Sequence, residues 1–396
     1  MKFPDLTRRD FLKTVGITTA LAATGTIPPV LYAGERRLVG YPGKTDLLLL
    51  TSRPPQLETP LEYFRELITP NEAMFVRWHL ANIPTSVDLA TWRLKVHGAV
   101  EKELSLSLED LKKFEKVGYA AVMQCAGNGR SFFDPPVFGG QWQNGAMGNA
   151  VWGGVRLRDL LHAAGLRPGG VDVVFAGLDK PPIPSVPAFA KALPLDKMLE
   201  DDIIVAYEMN GQELPMLNGF PVRLVVPGWY AAYWVKSLSD IEVLSRPFEG
   251  FWKKSAYRIP DTPCGCVEPG ATPAKTVPIN RMTTRSLLID PADGTRLKAG
   301  QPVELMGLAF SGGYSIKEVL VSVDAGETWR PARVGRDLGR YSWIQWQYPW
   351  QPQKPGSHAV MVRAINSIGE SQPLQSLWNP SGYLWNKIER HDFVVV

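Results

Sequence analysis

From residue 285 onward the chain alternates apolar and polar residues in short runs, at 286–289, 302–309, 316–322, 342–346 and 358–364. Turn residues separate these runs at fairly regular spacing, and no stretch of helical period intervenes. Alternation of period two turns one side of each strand inward and the other to water, which predicts an all-β sandwich of two facing sheets. The preceding part reads differently. Short helices are expected at 61–68 after Thr59-Pro60, at 108–114 behind the capping residue Ser107, and at 157–164, ended by Gly165. Strands are expected between them, at 118–123, 171–175, 202–208 and 220–226. That order predicts a mixed α+β region with an irregular sheet. The 13 tryptophans and 34 prolines fit loop-rich β structure better than a helical bundle.

At 396 residues the chain is long enough for two or three domains, and 45% hydrophobic with 21% charged residues is the balance of an ordinary globular protein. The N-terminus carries adjacent arginines in Thr7-Arg8-Arg9-Asp10-Phe11-Leu12-Lys13, ahead of a weakly apolar stretch at 15–23. That stretch is too short to span a bilayer, and the arrangement matches the twin-arginine class of bacterial export signal. Residues 1–33 are therefore read as a signal peptide removed near Ala33. The mature chain is expected in the periplasm, with no membrane span. Net charge is +4, of which the signal carries +2, and no block of like charge follows it, so a nucleic-acid partner is not expected.

Three cysteines occur. Cys264 and Cys266 flank one glycine, a spacing read as too tight for an easy internal disulfide, and their surface loop is taken as structural, with a redox or metal role left open. Cys125 is different. A β-prone run leads into it, small turn-forming residues follow at Ala126-Gly127-Asn128-Gly129, and then Arg130. Positive charge beside a cysteine favours the thiolate, the form that ligates metal or attacks electrophiles. Downstream, residues 139–149 form a glycine- and amide-rich loop that offers donors to a polar ligand. Upstream, a short strand at 74–76 would bring Arg77 and His79 to its end on one face.

Six blocks in this order resemble the sulfite oxidase family of molybdenum enzymes: Phe75-Val76-Arg77-Trp78-His79, the segment from Gln124 to Arg130, Gly177-Leu178-Asp179, the segment from Ala206 to Gly211, the segment from Gly219 to Gly228, and Trp234-Val235-Lys236. The stretch from Val323 to Trp329 and that from Trp378 to Tyr383 are similar to the family's dimerisation domain. Trp78, which stands where vertebrate members carry asparagine, gives the chain the look of the bacterial periplasmic sulfite dehydrogenases. The resemblance implies a molybdopterin-binding catalytic domain over 34–274 and an immunoglobulin-like dimerisation domain over 275–396. It implies a cofactor of molybdenum on a single pyranopterin dithiolene, with Cys125 as the metal ligand. Arg77, Tyr257 and Arg130 would hold the substrate, and His79, Asp179, Asn218, Arg223 and Lys236 would contact the cofactor. Asn218 replaces a histidine of the vertebrate pattern. The implied reaction is oxidation of sulfite to sulfate. With no Cys-x-x-Cys-His haem motif in the chain, its electrons would pass to a separate c-type cytochrome. A sulfane dehydrogenase acting on carrier-bound sulfur is the alternative within the family. Methionine sulfoxide reduction fits less well, since relatives of that type generally lack the C-terminal domain. A non-enzymatic immunoglobulin-like binding module is the alternative of another class.

Overall fold

The fold is a set of β-sheets joined by long, proline-punctuated connections, seen in a computed structural model that describes residues 36–396. The export signal expected over 1–33 lies outside the described residues. Where the sequence predicts α+β, the described residues are mostly β with few helices, the longest being the eight-residue α-helix Leu157–Ala164. The helix expected over 61–68 is a 3-10 turn, Leu61–Arg65, and the one expected over 108–114 closes after Leu111. Ser107 does cap that short helix, in a reciprocal pair of hydrogen bonds with Asp110.

Three larger sheets and the two-stranded pair Arg258–Pro260 with Thr276–Pro278 precede the C-terminal strands. Val76–Arg77 is the edge of a four-stranded sheet and pairs with Pro55–Glu58. Lys116–Gln124 lies antiparallel to Met147–Arg156, whose other neighbour is Ile204–Met209, and Arg223–Val225 adds to that strand. In the third sheet Leu238–Leu244 runs between Asp172–Gly177 and Leu94–Gly98, and is parallel to the latter. The faces between these sheets are aliphatic and aromatic, with Val122, Trp152, Phe175, Val205 and Leu224 at 0% exposure.

The C-terminal strands match the alternation closely. Arg285–Asp290, Val303–Phe310 and Ile344–Trp350 form one sheet, while Ile316–Ser322, Gly356–Asn366 and Arg390–Val395 form the other. Leu305, Val319, Trp346, Val360 and Phe393 fill the space between them. Residues 38–396 pack as one unit, and the larger core takes in Leu287, Leu308, Phe310 and Trp343 from the C-terminal strands.

The structure corrects the reading of Cys264 and Cys266, which are joined by a disulfide with Cα atoms 5.1 Å apart. Gly265 between them adopts φ +61°, a left-handed turn that brings the two side chains to the same side.

Candidate active site

Cys125 follows the last residue of Lys116–Gln124 and is 8% exposed. Its N–H donates to the carbonyl of Ala146, and its own carbonyl accepts from Asn128 N–H, so the loop turns tightly away from the strand. The thiol faces two adjoining cavities. The inner one is walled by Phe75, Arg77, His79, Asn218, Arg223 and Lys236 among others. The outer one is walled by Gln56, Arg130, Trp142, Ser381 and Tyr383 among others. Arg77, Cys125 and Tyr257 belong to both. No aspartate or glutamate lines either.

The inner cavity is lined by cations and by no carboxylate. Arg223 is 2% exposed and donates to the carbonyls of Asn218 (2.8 Å) and Trp234 (2.9 Å), while its Nε has no partner. Burial lowers its pKa from 12.5 to about 9. Lys236 lies 4.6 Å from the Trp78 ring centroid, and burial brings it down to about 7 against the opposing pull of Asp179. Lys44, on a segment that the sequence left unremarked, donates to Asn218 Oδ1 and to the carbonyls of Asn71 (2.7 Å) and Met74 (2.9 Å), and is likewise lowered to about 7 by burial. Asn218 donates in turn from Nδ2 to the carbonyl of Phe75 at 3.1 Å. A cluster of this kind is costly alone and is stabilised by an anionic ligand. Asp179 is buried behind Lys236 and does not line either cavity, and its carboxyl is raised by burial.

Around the shared residues the geometry is aromatic. His79 Nε2 meets the Tyr257 hydroxyl, and the imidazole stacks on Phe189 with centroids 3.7 Å apart. Burial, then Arg77 and Lys236, holds His79 well below its ordinary pKa, while burial raises the Tyr257 phenol. Both shifts favour the neutral forms at neutral pH. Tyr257 sits at φ +60°, an uncommon conformation for a bulky residue and one found at functional sites. Arg77 Cζ lies 6.0 Å from the Tyr257 ring centroid, and its Nη1 is buried without a partner. Arg130 is 7% exposed and donates to the carbonyls of Gly140 (3.1 Å) and Ser381 (3.2 Å). A Cβ on Gly127, Gly139 or Gly382 would come within 2.9 Å of its side chain, which explains the glycines around it. Trp234 is a core residue set edge-on against Trp152, and Trp252 packs against His79 and Phe189.

Besides Lys44, sequence reasoning missed Lys191, fully buried with Nζ 4.9 Å from the Tyr257 centroid, and Tyr383. Neither stands in a pattern that points to chemistry.

The site fits a metal cofactor that brings most of its own ligands. Among the described residues no group of three or more His, Cys, Asp or Glu converges, so a metal on the Cys125 sulfur would need the rest from the cofactor. The unpartnered nitrogens of Arg223 and Arg77 suit anionic groups on such a cofactor and on a substrate.

A family described as Oxidoreductase molybdopterin binding domain matches residues 80–252, and one described as Mo-co oxidoreductase dimerisation domain matches residues 276–392. The chain is 35% identical over 368 residues to the mitochondrial sulfite oxidase of Rattus norvegicus, covering 88% of this chain and 66% of the rat protein. It is 35% identical over 361 residues to the sulfite oxidase of Gallus gallus, covering 87% and 76%. The crystal structure of the sulfane dehydrogenase SoxCD from Paracoccus pantotrophus is similar with a TM-score of 0.75 at 25% identity, over 98% of this chain and 92% of that one. The chain thus spans about two thirds of the length of the mammalian relatives it matches.

Proposed function

Since the chain belongs to the sulfite oxidase family of molybdenum enzymes, with molybdenum and molybdopterin as its cofactor, we propose that it oxidises sulfite to sulfate and passes the electrons to a separate c-type cytochrome. The observation that carries the reading is Arg77. It is shared by both cavities with Cys125, has a buried nitrogen without a partner, and faces cavities that no carboxylate lines. A planar guanidinium can donate two parallel hydrogen bonds to a sulfur oxyanion.

Molybdenum held by Cys125 supplies oxygen-atom transfer and a sink for two electrons. The chain supplies the rest. Arg223 and Lys236, with Asn218, would hold the pterin and its phosphate. Arg77 binds the sulfite oxygens, and Arg130 adds a second positive charge from the outer cavity. Tyr257 orients the anion, and its hydrogen bond to neutral His79 keeps the phenol protonated and fixed. Positioning and charge neutralisation of this kind lower the barrier without a protein nucleophile. Asp179 acts through Lys236.

The proposal extends to the chain as a whole. Residues 34–274 would form the cofactor domain and residues 275–396 an immunoglobulin-like domain that pairs two copies, supported by the facing sheets and the match to the dimerisation family. Residues 1–33 would direct it to the periplasm. No described helix is long and apolar enough to cross a membrane.

A second reading is favoured by the similarity to the sulfane dehydrogenase along nearly the whole chain. In that case the substrate is sulfur bound to a carrier protein. The test is turnover of molybdenum-loaded protein with free sulfite and, separately, with a carrier protein bearing a cysteine persulfide, using ferricyanide as acceptor. Turnover of free sulfite supports the first reading. Turnover of the carrier alone selects the second.

A further inference from the structure

Arg130 and Tyr257 come from segments far apart in sequence, and one side chain touches both. The Tyr383 ring lies parallel to that of Tyr257, with centroids 5.5 Å apart and planes within 9°. On Tyr383 also sits the Arg130 guanidinium, its Cζ 5.1 Å from the ring centroid. Tyr383 lines the outer cavity next to Ser381, whose carbonyl accepts from Arg130 and whose hydroxyl donates to the carbonyl of Arg258 at 2.9 Å.

Side-chain and backbone hydrogen bonds fix the backbone here. Asn379, 1% exposed, grips Tyr383 from both sides: its Nδ2 donates to the Tyr383 carbonyl at 2.8 Å, and its Oδ1 accepts the Tyr383 N–H at 3.2 Å. Tyr383 stands between two residues of left-handed backbone, Gly382 at φ +60° and Leu384 at φ +65°. A leucine there is strained, and such strain persists where the surroundings over-determine it. The Leu384 N–H is fastened to the carbonyl of Ala126, the residue after Cys125.

We propose that Tyr383 is a positioning residue of the oxyanion pocket, holding Arg130 through its ring face and Tyr257 through parallel contact, so that the C-terminal region helps to build the substrate site. The inference rests on the sulfur-oxyanion reading above. The electron-rich ring face attracts the guanidinium, which keeps it over the outer cavity. The parallel contact stops Tyr257 from turning away from His79 and Arg77. Loss of the ring frees both groups, and the anion is then held less tightly.

The test uses holoenzyme of known molybdenum content. Tyr383→Leu and Tyr383→Met remove the ring, and Tyr383→Phe keeps it. Both ring-less variants are expected to raise KM for sulfite about tenfold and to weaken competitive inhibition by sulfate by a similar factor, with kcat changed much less. Tyr383→Phe stays within about threefold of the parent on both, since it retains the faces. A merely structural role would lower molybdenum content or kcat and leave KM and sulfate inhibition where they were. Protection of the thermal transition by sulfate reads the same pocket without turnover. A parent that sulfate protects but that does not oxidise sulfite defeats the functional reading and leaves Tyr383 testable by its effect on that protection. Molybdenum-loaded Leu or Met variants that bind sulfate and sulfite within twofold of the parent overturn the inference.

Discussion

Replacing Arg223 by methionine should have opposite consequences for the empty and the loaded protein. Burial lowers the guanidinium from 12.5 to about 9, and a lowered base is penalised at every pH below its folded pKa, so the full penalty is present at neutral pH. At about 1.4 kcal/mol for each tenfold, burying this charge costs the cofactor-free fold about 5 kcal/mol. Methionine removes that cost. It also leaves the carbonyls of Asn218 and Trp234 without their donor, a loss of about 1–3 kcal/mol each. The two effects nearly cancel, and cofactor-free Arg223→Met is expected within about 2 kcal/mol of the parent. In the loaded protein the same change leaves an anionic group of the cofactor facing an apolar side chain, which costs about 3–5 kcal/mol. Cofactor retention should therefore fall by about a hundredfold or more. Urea unfolding of both cofactor-free proteins gives the first quantity, and molybdenum content against free cofactor concentration gives the second. A variant that unfolds far more easily when empty, or that keeps its molybdenum in full, refutes the assignment of Arg223 as a counter-charge.

Two further outcomes follow from buried and surface charge. Glu389→Gln leaves Arg285, which is 0% exposed and 2.8 Å from Glu389, as an uncompensated cation, and should cost about 3 kcal/mol in urea unfolding. Joint replacement by Arg285→Met and Glu389→Leu should recover most of it, and an equally unstable double variant would contradict the explanation. Hydrogen bonds from Ser322 and from Thr328 hold the Asp324 carboxyl down at about 2, so its contribution is present above the ordinary carboxylate value and is lost as pH falls through about 2. Asp324→Asn should therefore melt below the parent at neutral pH, with the gap closing between about pH 4 and about pH 2, and a gap independent of pH would reject that origin.

How much of this was legible in the sequence depended on whether the signal was local. The strands of the C-terminal part could be read because alternation is a property of neighbouring residues, and Ile316–Ser322 has the bounds that pattern predicts. Cys125 and Arg130 share one loop, so their meeting at the outer cavity was visible in their spacing. Arg77 and His79 were expected on one face at a strand end, and both line the inner cavity although the strand itself is only Val76–Arg77. The hydrogen bond between His79 and Tyr257 spans 178 residues, and no local pattern encodes it. Lys44, half-buried, and Lys191, fully buried, are cations in unremarkable segments, and only the folded chain brings them near the site. Tyr383 lay in a stretch read as belonging to dimerisation alone. The helices were overestimated because capping and first-turn signals mark where a helix starts and not how far it runs, as at Leu108–Leu111.

The central claim is that Cys125 holds a molybdenum centre that oxidises a sulfur oxyanion. It is tested most directly by quantifying molybdenum in parent protein and in Cys125→Ser, and measuring sulfite-dependent reduction of cytochrome c or ferricyanide by both. The account predicts a loaded parent that turns over sulfite and a folded variant whose turnover is abolished. A loaded parent inactive on sulfite, or a Cys125→Ser protein that keeps its rate, would contradict it.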